Sequence, residues 1–127
     1  MTSKENSINW FEIPVADIKR AKKFYETVFG IEMPTHNMGG MDMAFFPYEP
    51  GMGKASGGLA QSPMHKPGSG GVIIYLNGNP DLTKALSNVE KAGGKISMPK
   101  TKISDEIGFM AFFNDTEGNT IALHSMK

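Results

Sequence analysis

Apolar and polar positions follow two different rhythms in the first thirty residues. Residues 8–14 read Ile-Asn-Trp-Phe-Glu-Ile-Pro. This apolar, aromatic run predicts a strand, ended by a proline that cannot donate to a sheet ladder. Beyond it, Ile18, Ala21, Phe24, Tyr25 and Val28 recur at the spacing of one helical face, with Asp17 placed to cap the helix and Gly30 to end it. Lys19, Arg20, Lys22, Lys23 and Glu26 occupy the opposite face. The pattern predicts a surface helix with one buried stripe, laid on a sheet. Burying Ile18, Phe24 and Val28 stabilises by about 1.5–3 kcal/mol each, far more than helix propensity does.

The following pattern is shorter and more broken. Residues 31–38 alternate loosely around Pro34, which predicts an irregular or edge strand. Residues 41–48 form an apolar run with Phe45 and Phe46, and 57–61 suit one more short strand. Residues 62–70, rich in Pro, Gly and Ser, have the composition of an exposed connector. The opening grammar then repeats. Residues 71–76 predict a strand, and Asn79-Pro80 predicts a cap followed by proline at the first helical position. Leu82, Ala85, Leu86 and Val89 make the apolar stripe of that helix, which exits at Gly93-Gly94. Three strands follow at 95–103, 109–113 and 120–125, the last two joined by a polar turn. The chain therefore reads as two copies of strand, helix and three strands. Module 1 covers about 8–61, the linker 62–70, and module 2 about 71–125. Neither half buries its sheet face alone, so residues 1–127 are expected to make a single domain.

Composition narrows the chemistry. Thirteen basic residues balance thirteen acidic ones across 127 residues, which gives no electrostatic reason to expect nucleic acid or an anionic membrane as a partner. The absence of cysteine excludes disulfides, a thiolate nucleophile and cysteine-ligated metal. No apolar run has membrane-spanning length and the first seven residues are polar, so a cytoplasmic protein is expected. Gly51-Met52-Gly53-Lys54 departs from a phosphate-binding loop, with Tyr48 where the first glycine belongs and Ala55 in place of Ser or Thr. No serine has a histidine and an acid at a recognisable triad spacing, which leaves a spatial triad open.

The run Trp10-Phe11-Glu12-Ile13-Pro14-Val15-Ala16-Asp17, Ala21, Phe24-Tyr25, Phe29-Gly30, the duplication, and Asp115-Thr116-Glu117-Gly118-Asn119 before the last strand together resemble the vicinal oxygen chelate superfamily. That group includes glyoxalase I, bleomycin-resistance proteins and extradiol dioxygenases. The resemblance implies an α+β fold of two paired βαβββ modules forming a curved open sheet around a cavity, with helices outside. It also implies a homodimer, since modules often pair across subunits. In metal-dependent members four inward side chains hold the ion. Those positions fall here on Trp10, Gly71, Ala122 and one of Gly57, Gly58 or Leu59. None of these side chains binds a divalent ion, so no metal cofactor is expected.

Strand period then says what else faces inward. If Trp10 lines the cavity, Glu12 and Pro14 do too, while Phe11, Ile13 and Val15 face the helices. Thr120, Ala122 and His124 share a face, as do Gly71, Ile73 and Tyr75. The expected pocket therefore holds Trp10, Ile73, Tyr75 and Ala122 as ligand-binding residues, with Glu12 and His124 as its candidate acid and imidazole. Such a lining suits a small, partly aromatic or cationic ligand. The expected function is metal-free binding of a small organic molecule. The alternative is a lyase, isomerase or dioxygenase-like enzyme using Glu12 as base with His124, or a relocated metal held by some of Glu12, His36, His65 and His124. For Glu12 the purely structural alternative is an ion pair with a lysine such as Lys100 or Lys102, or exposure at a rim, and for His36 and His65 a place in loops.

Overall fold

A computed structural model describes residues 1–49 and 54–127. The Gly51-Met52-Gly53 stretch of the glycine-rich loop lies outside the described residues. In chain order the elements are β1 (Trp10–Pro14), α1 (Ile18–Phe29), β2 (Thr35–Met38), β3 (Met41–Phe45), β4 (Ser56–Gln61), β5 (Tyr75–Asn77), α2 (Thr83–Val89), β6 (Lys95–Ser104), β7 (Gly108–Asn114) and β8 (Thr120–Ser125). They form two four-stranded mixed sheets, ordered β1-β4-β3-β2 and β5-β8-β7-β6. In each sheet the first strand of the module pairs parallel with its last, and the other pairings are antiparallel. The result is an α+β fold of two βαβββ modules without a closed barrel.

Sequence periodicity explains what each element buries. On β1, Ile13 enters the core, as does Val15 just beyond, whereas Trp10 stays 36 % exposed. In α1 the Asp17 carboxylate accepts the Arg20 amide at 3.1 Å, and Gly30 ends the helix in the left-handed region at φ 64°. Ala21, Phe24, Tyr25 and Val28 are its buried stripe. Phe24 packs against Phe113 of the second sheet, and Tyr25 against Phe46 of the first module. One core cluster therefore runs from Ile13 through both helices to Leu123. The helices cover one face of each sheet and leave the other face open.

The parallel contact of β1 with β4 depends on a glycine. A β-carbon on Gly57 would collide with the Phe11 carbonyl and ring, so only glycine lets the two strands approach in register. Several boundaries differ from the sequence reading: β2 starts only at Thr35, β3 ends at Phe45, and β5 and α2 both start late. β5 is three residues long: Gly71 takes φ 97° and Val72 projects into solvent, and ahead of Tyr75 the Ile74 carbonyl still accepts the Ala122 amide at 3.0 Å. Gly71 and Ile73 thus precede the sheet. The second helix starts at Thr83, and Asn79-Pro80, a cis peptide, lies in the turn before it. There the Asp81 carboxylate accepts the Thr83 amide, and the Lys100 ammonium followed by that amide holds it well below the usual carboxylate range. Among the described residues no helix is long and apolar enough to cross a membrane.

Candidate functional site

The open face of the first sheet is built by small residues flanked by large ones. Register places Ser56, Gly58 and Ala60 of β4 opposite Trp10, Glu12 and Pro14 of β1, and Phe45 of β3 opposite Gly58. Side chains in register share a face, so of Gly57, Gly58 and Leu59 only Gly58 lies with Trp10. The rings close in over this row of small residues. Trp10 meets Phe45 edge to face at 5.5 Å and Tyr48 at 5.7 Å, while His36 stacks on Phe45 at 4.9 Å. Phe45 and His36 could have been placed here by carrying the strand period across the sheet. Tyr48, beyond β3, gave no such signal.

Glu12 sits beside these rings and its carboxylate is fully engaged. Trp10 donates its indole N–H to Oε2 at 3.3 Å, and His65 Nε2 lies 2.8 Å from Oε1. On the other side of the imidazole, Nδ1 is 2.7 Å from Ser62 Oγ. The Met64 amide donates to the same Oγ at 3.1 Å, and the His65 amide donates to the Ser62 carbonyl, so residues 62–65 form a tight turn. The ion pair with Lys100 or Lys102 is not what forms. Lys100 pairs with Asp81 and caps the Phe109 ring, and Lys102 pairs with Asp105. His65 is a loop residue, as expected, but its ring reaches back across the module to Glu12. Beside Glu12 a cleft of about 370 Å³ separates β1 from the linker and β8, lined by Phe11, Ile13, Val72, Ile74 and Ile121.

The remaining expected site residues gather on the second sheet. Tyr75 lies opposite Ala122, and Phe112 lies opposite Ala122 from the other side. The Tyr75 and Phe112 rings meet at 5.9 Å. Tyr75 is 51 % exposed and Ile73, just before β5, is 44 % exposed, while Ala122 is buried. His124 Nε2 sits 2.6 Å from the Ile107 carbonyl, an acceptor only, so that nitrogen carries the proton and donates it. The expected acid and imidazole therefore have different partners. Glu12 is joined to His65, and His124 is anchored to a backbone carbonyl on the other sheet.

The turn 115–119 holds the two modules together. Glu117, its side chain fully covered, accepts the Ala16 and Asp17 amides, both at 2.9 Å, and pairs with the Arg20 guanidinium at 2.7 Å. Burial alone would raise its pKa. The Arg20 hydrogen bond and the backbone amides outweigh burial and hold it at about 2. Asp115 accepts the Glu117 and Asn119 amides, the Asn119 side-chain amide and, at 2.7 Å, the Tyr25 hydroxyl. Burial, then the charge and hydrogen bond of Asp115, pushes the Tyr25 phenol well above its ordinary pKa. Asn119 also donates to the Pro14 carbonyl at 2.7 Å.

The sequence profile of the Glyoxalase/Bleomycin resistance protein/Dioxygenase superfamily matches residues 7–123. The chain belongs to this superfamily. A glyoxylase-like domain-containing protein from Didymella fabae is 33 % identical over 119 residues, covering 91 % of both chains. Among solved structures, a glyoxalase I variant from Zea mays superposes with a TM-score of 0.69 at 19 % identity, covering 93 % of this chain. This chain spans only 45 % of that maize protein. An antibiotic-binding protein from Streptomyces sp. CB03234 superposes with a TM-score of 0.64 at 22 % identity, covering 94 % of this chain and 95 % of its own.

Metal-dependent members of this glyoxalase superfamily need donors at the four positions named above. Of the four positions expected to hold an ion, Gly71 precedes the sheet, and Trp10, Gly58 and Ala122 carry no carboxylate or imidazole. Among the described residues, no group of three or more His, Asp or Glu side chains converges to hold one.

Proposed function

We propose that this glyoxalase-superfamily member is a binding protein that holds a small organic ligand against its open sheet faces, without the metal centre of its catalytic relatives. The observation that carries this reading is the cluster of Trp10, Phe45 and Tyr48 beside the Glu12 carboxylate on an open face. Ring faces bind flat aromatic groups, and a carboxylate among rings favours a ligand with positive charge. Tyr75 and Ile73 form the matching exposed surface of the second module, over the buried Ala122 opposite Tyr75. The similarity to an antibiotic-binding protein of the same fold supports ligand binding as the role. Both faces are open in one chain, which favours a homodimer whose second copy covers them. Gel filtration at twice 13.8 kDa is the expected result.

Trp10 is the only tryptophan, so its fluorescence reads the site directly. Titration with small aromatic amines should change that emission saturably, and Phe45→Ala should weaken the change at least about tenfold. A stoichiometric divalent metal in the purified protein, whose removal abolishes a turnover, would overturn the reading. The second reading is an enzyme that uses Glu12 as its acid or base. The 2.8 Å contact with His65 favours it, and pairs Glu12 with that imidazole in place of His124.

A further inference from the structure

We propose that Ser62, His65 and Glu12 form an acyl-transfer triad, with Ser62 Oγ as nucleophile toward small esters and thioesters. The three groups stand in series. Glu12 Oε1 is 2.8 Å from His65 Nε2, and His65 Nδ1 is 2.7 Å from Ser62 Oγ. A carboxylate can only accept, so Nε2 carries the ring proton and Nδ1 presents its lone pair to the serine hydroxyl. That is the division of labour a nucleophile, a base and an orienting acid require. The two ring nitrogens exchange their usual places because Ser62 and His65 share one turn, and the short reach from Ser62 meets the Nδ1 side. Trp10 fixes the far end by donating its indole N–H to Glu12 Oε2. The Met64 amide donates to Ser62 Oγ at 3.1 Å, which leaves the hydroxyl proton to face His65 Nδ1.

The serine opens on a cleft of about 440 Å³ lined by Val15, Ala16, Gln61, Pro63, His65 and Lys66, among others. That volume admits a compact acyl group with its leaving group, and the same wall carries one side chain of each charge, Lys66 and Asp42. The reaction balances without a redox partner. Ser62 Oγ bonds to the carbonyl carbon while its proton passes to His65 Nδ1. The bond from carbon to the departing oxygen or sulfur then breaks, and the leaving group takes that proton. Water attacks the acyl-serine next, giving a proton to Nδ1, and Ser62 leaves with it as the free carboxylic acid departs. The proposal goes beyond ligand binding: it shares Trp10 and Glu12 with the aromatic face, but Ser62 opens on a cleft that neither of them lines.

Two measurements on the full chain test it. With p-nitrophenyl acetate, wild type should release nitrophenol above the buffer rate and carry an acetyl group on the peptide containing Ser62. Ser62→Ala and His65→Gln should each lower the rate at least about tenfold. The chain has no cysteine, so Ser62→Cys introduces a single thiol and changes one atom of the side chain. Its iodoacetamide alkylation against pH should give a thiol pKa at least about one unit below the ordinary value of about 8.5. Adding His65→Gln should restore the ordinary value. A serine that merely pins the turn would not show this dependence on His65. Hydrolysis unchanged in Ser62→Ala, acetylation confined to lysines, or a thiol that titrates normally with and without His65 would each overturn the proposal.

Discussion

Glu12 and Glu117 are carboxylates attached to the two ends of the same short stretch, one beside the start of β1 and the other over Ala16 and Asp17. They differ in what holds them. Glu117 receives two backbone amides and a guanidinium, all permanent donors, and none of its side chain meets solvent. Glu12 receives an indole N–H and an imidazole, and 32 % of its side chain is exposed. A carboxylate saturated by donors that never exchange their protons can only fasten. One whose nearest partner is an imidazole at a cleft can orient a base and stabilise it when it charges. The residues of the turn 115–119, which mark the family in the sequence, therefore act as the joint between modules. The proposed chemistry gathers at the less regular end.

Breaking the joint should have the largest effect. Asp115→Ala leaves four donors from Tyr25, Glu117 and Asn119 without their acceptor in a buried turn. A loss of about 3 kcal/mol or more is expected in urea denaturation, with the Ser62→Cys thiol unchanged in a double variant that remains folded. Glu117→Gln should follow at about 2 kcal/mol at pH 7, because the amides keep an acceptor while Arg20 loses its charge partner. Its pH dependence has a definite sign. The folded pKa of about 2 lies below the ordinary 4.5, so the stabilisation is complete above pH 4.5 and disappears as pH falls toward 2. Wild type and Glu117→Gln should therefore converge in acid; an unchanged gap at pH 2 would show that the carboxylate charge is not what fastens. Tyr25→Phe removes one of the Asp115 donors and should destabilise by about 1 kcal/mol in the same assay.

The joint and the site were unequally legible in the sequence. Alternation along β1 placed Trp10 and Glu12 on the cavity face and Ile13 on the helix face, and helical spacing gave the stripe from Ala21 to Val28, because regular backbone converts spacing into direction. The duplication and the turn 115–119 carried the fold. The contact between Glu12 and His65 spans 53 positions and ends in a loop, where no period assigns a direction to a side chain. The same lack of period hid the Ser62 turn. It also let residues 71–74 read as strand, since an apolar run resembles β structure until Gly71 turns the backbone out of the sheet. For α2, Asn79-Pro80 matched a helix start in residue type, yet Asp81 supplies the acceptor nearer the helix.

Glu12→Gln should have the smallest effect on stability and the most selective effect on chemistry. Glutamine keeps an oxygen for His65 Nε2–H, and the site is part-exposed, so less than about 1 kcal/mol should be lost in urea. The charge behind the imidazole is gone, however, and a neutral amide no longer stabilises the ring when it takes a proton at Nδ1. In a Ser62→Cys background the thiol pKa should rise toward the ordinary value of about 8.5 while the unfolding midpoint barely moves. Trp10 emission should shift at the same time, because its indole N–H loses a charged acceptor. Glu117→Gln must do the reverse, moving the midpoint and sparing the thiol. If Glu12→Gln destabilised as much as Glu117→Gln and left the thiol untouched, Glu12 would be a second fastener, and the division between the two ends of β1 would not hold.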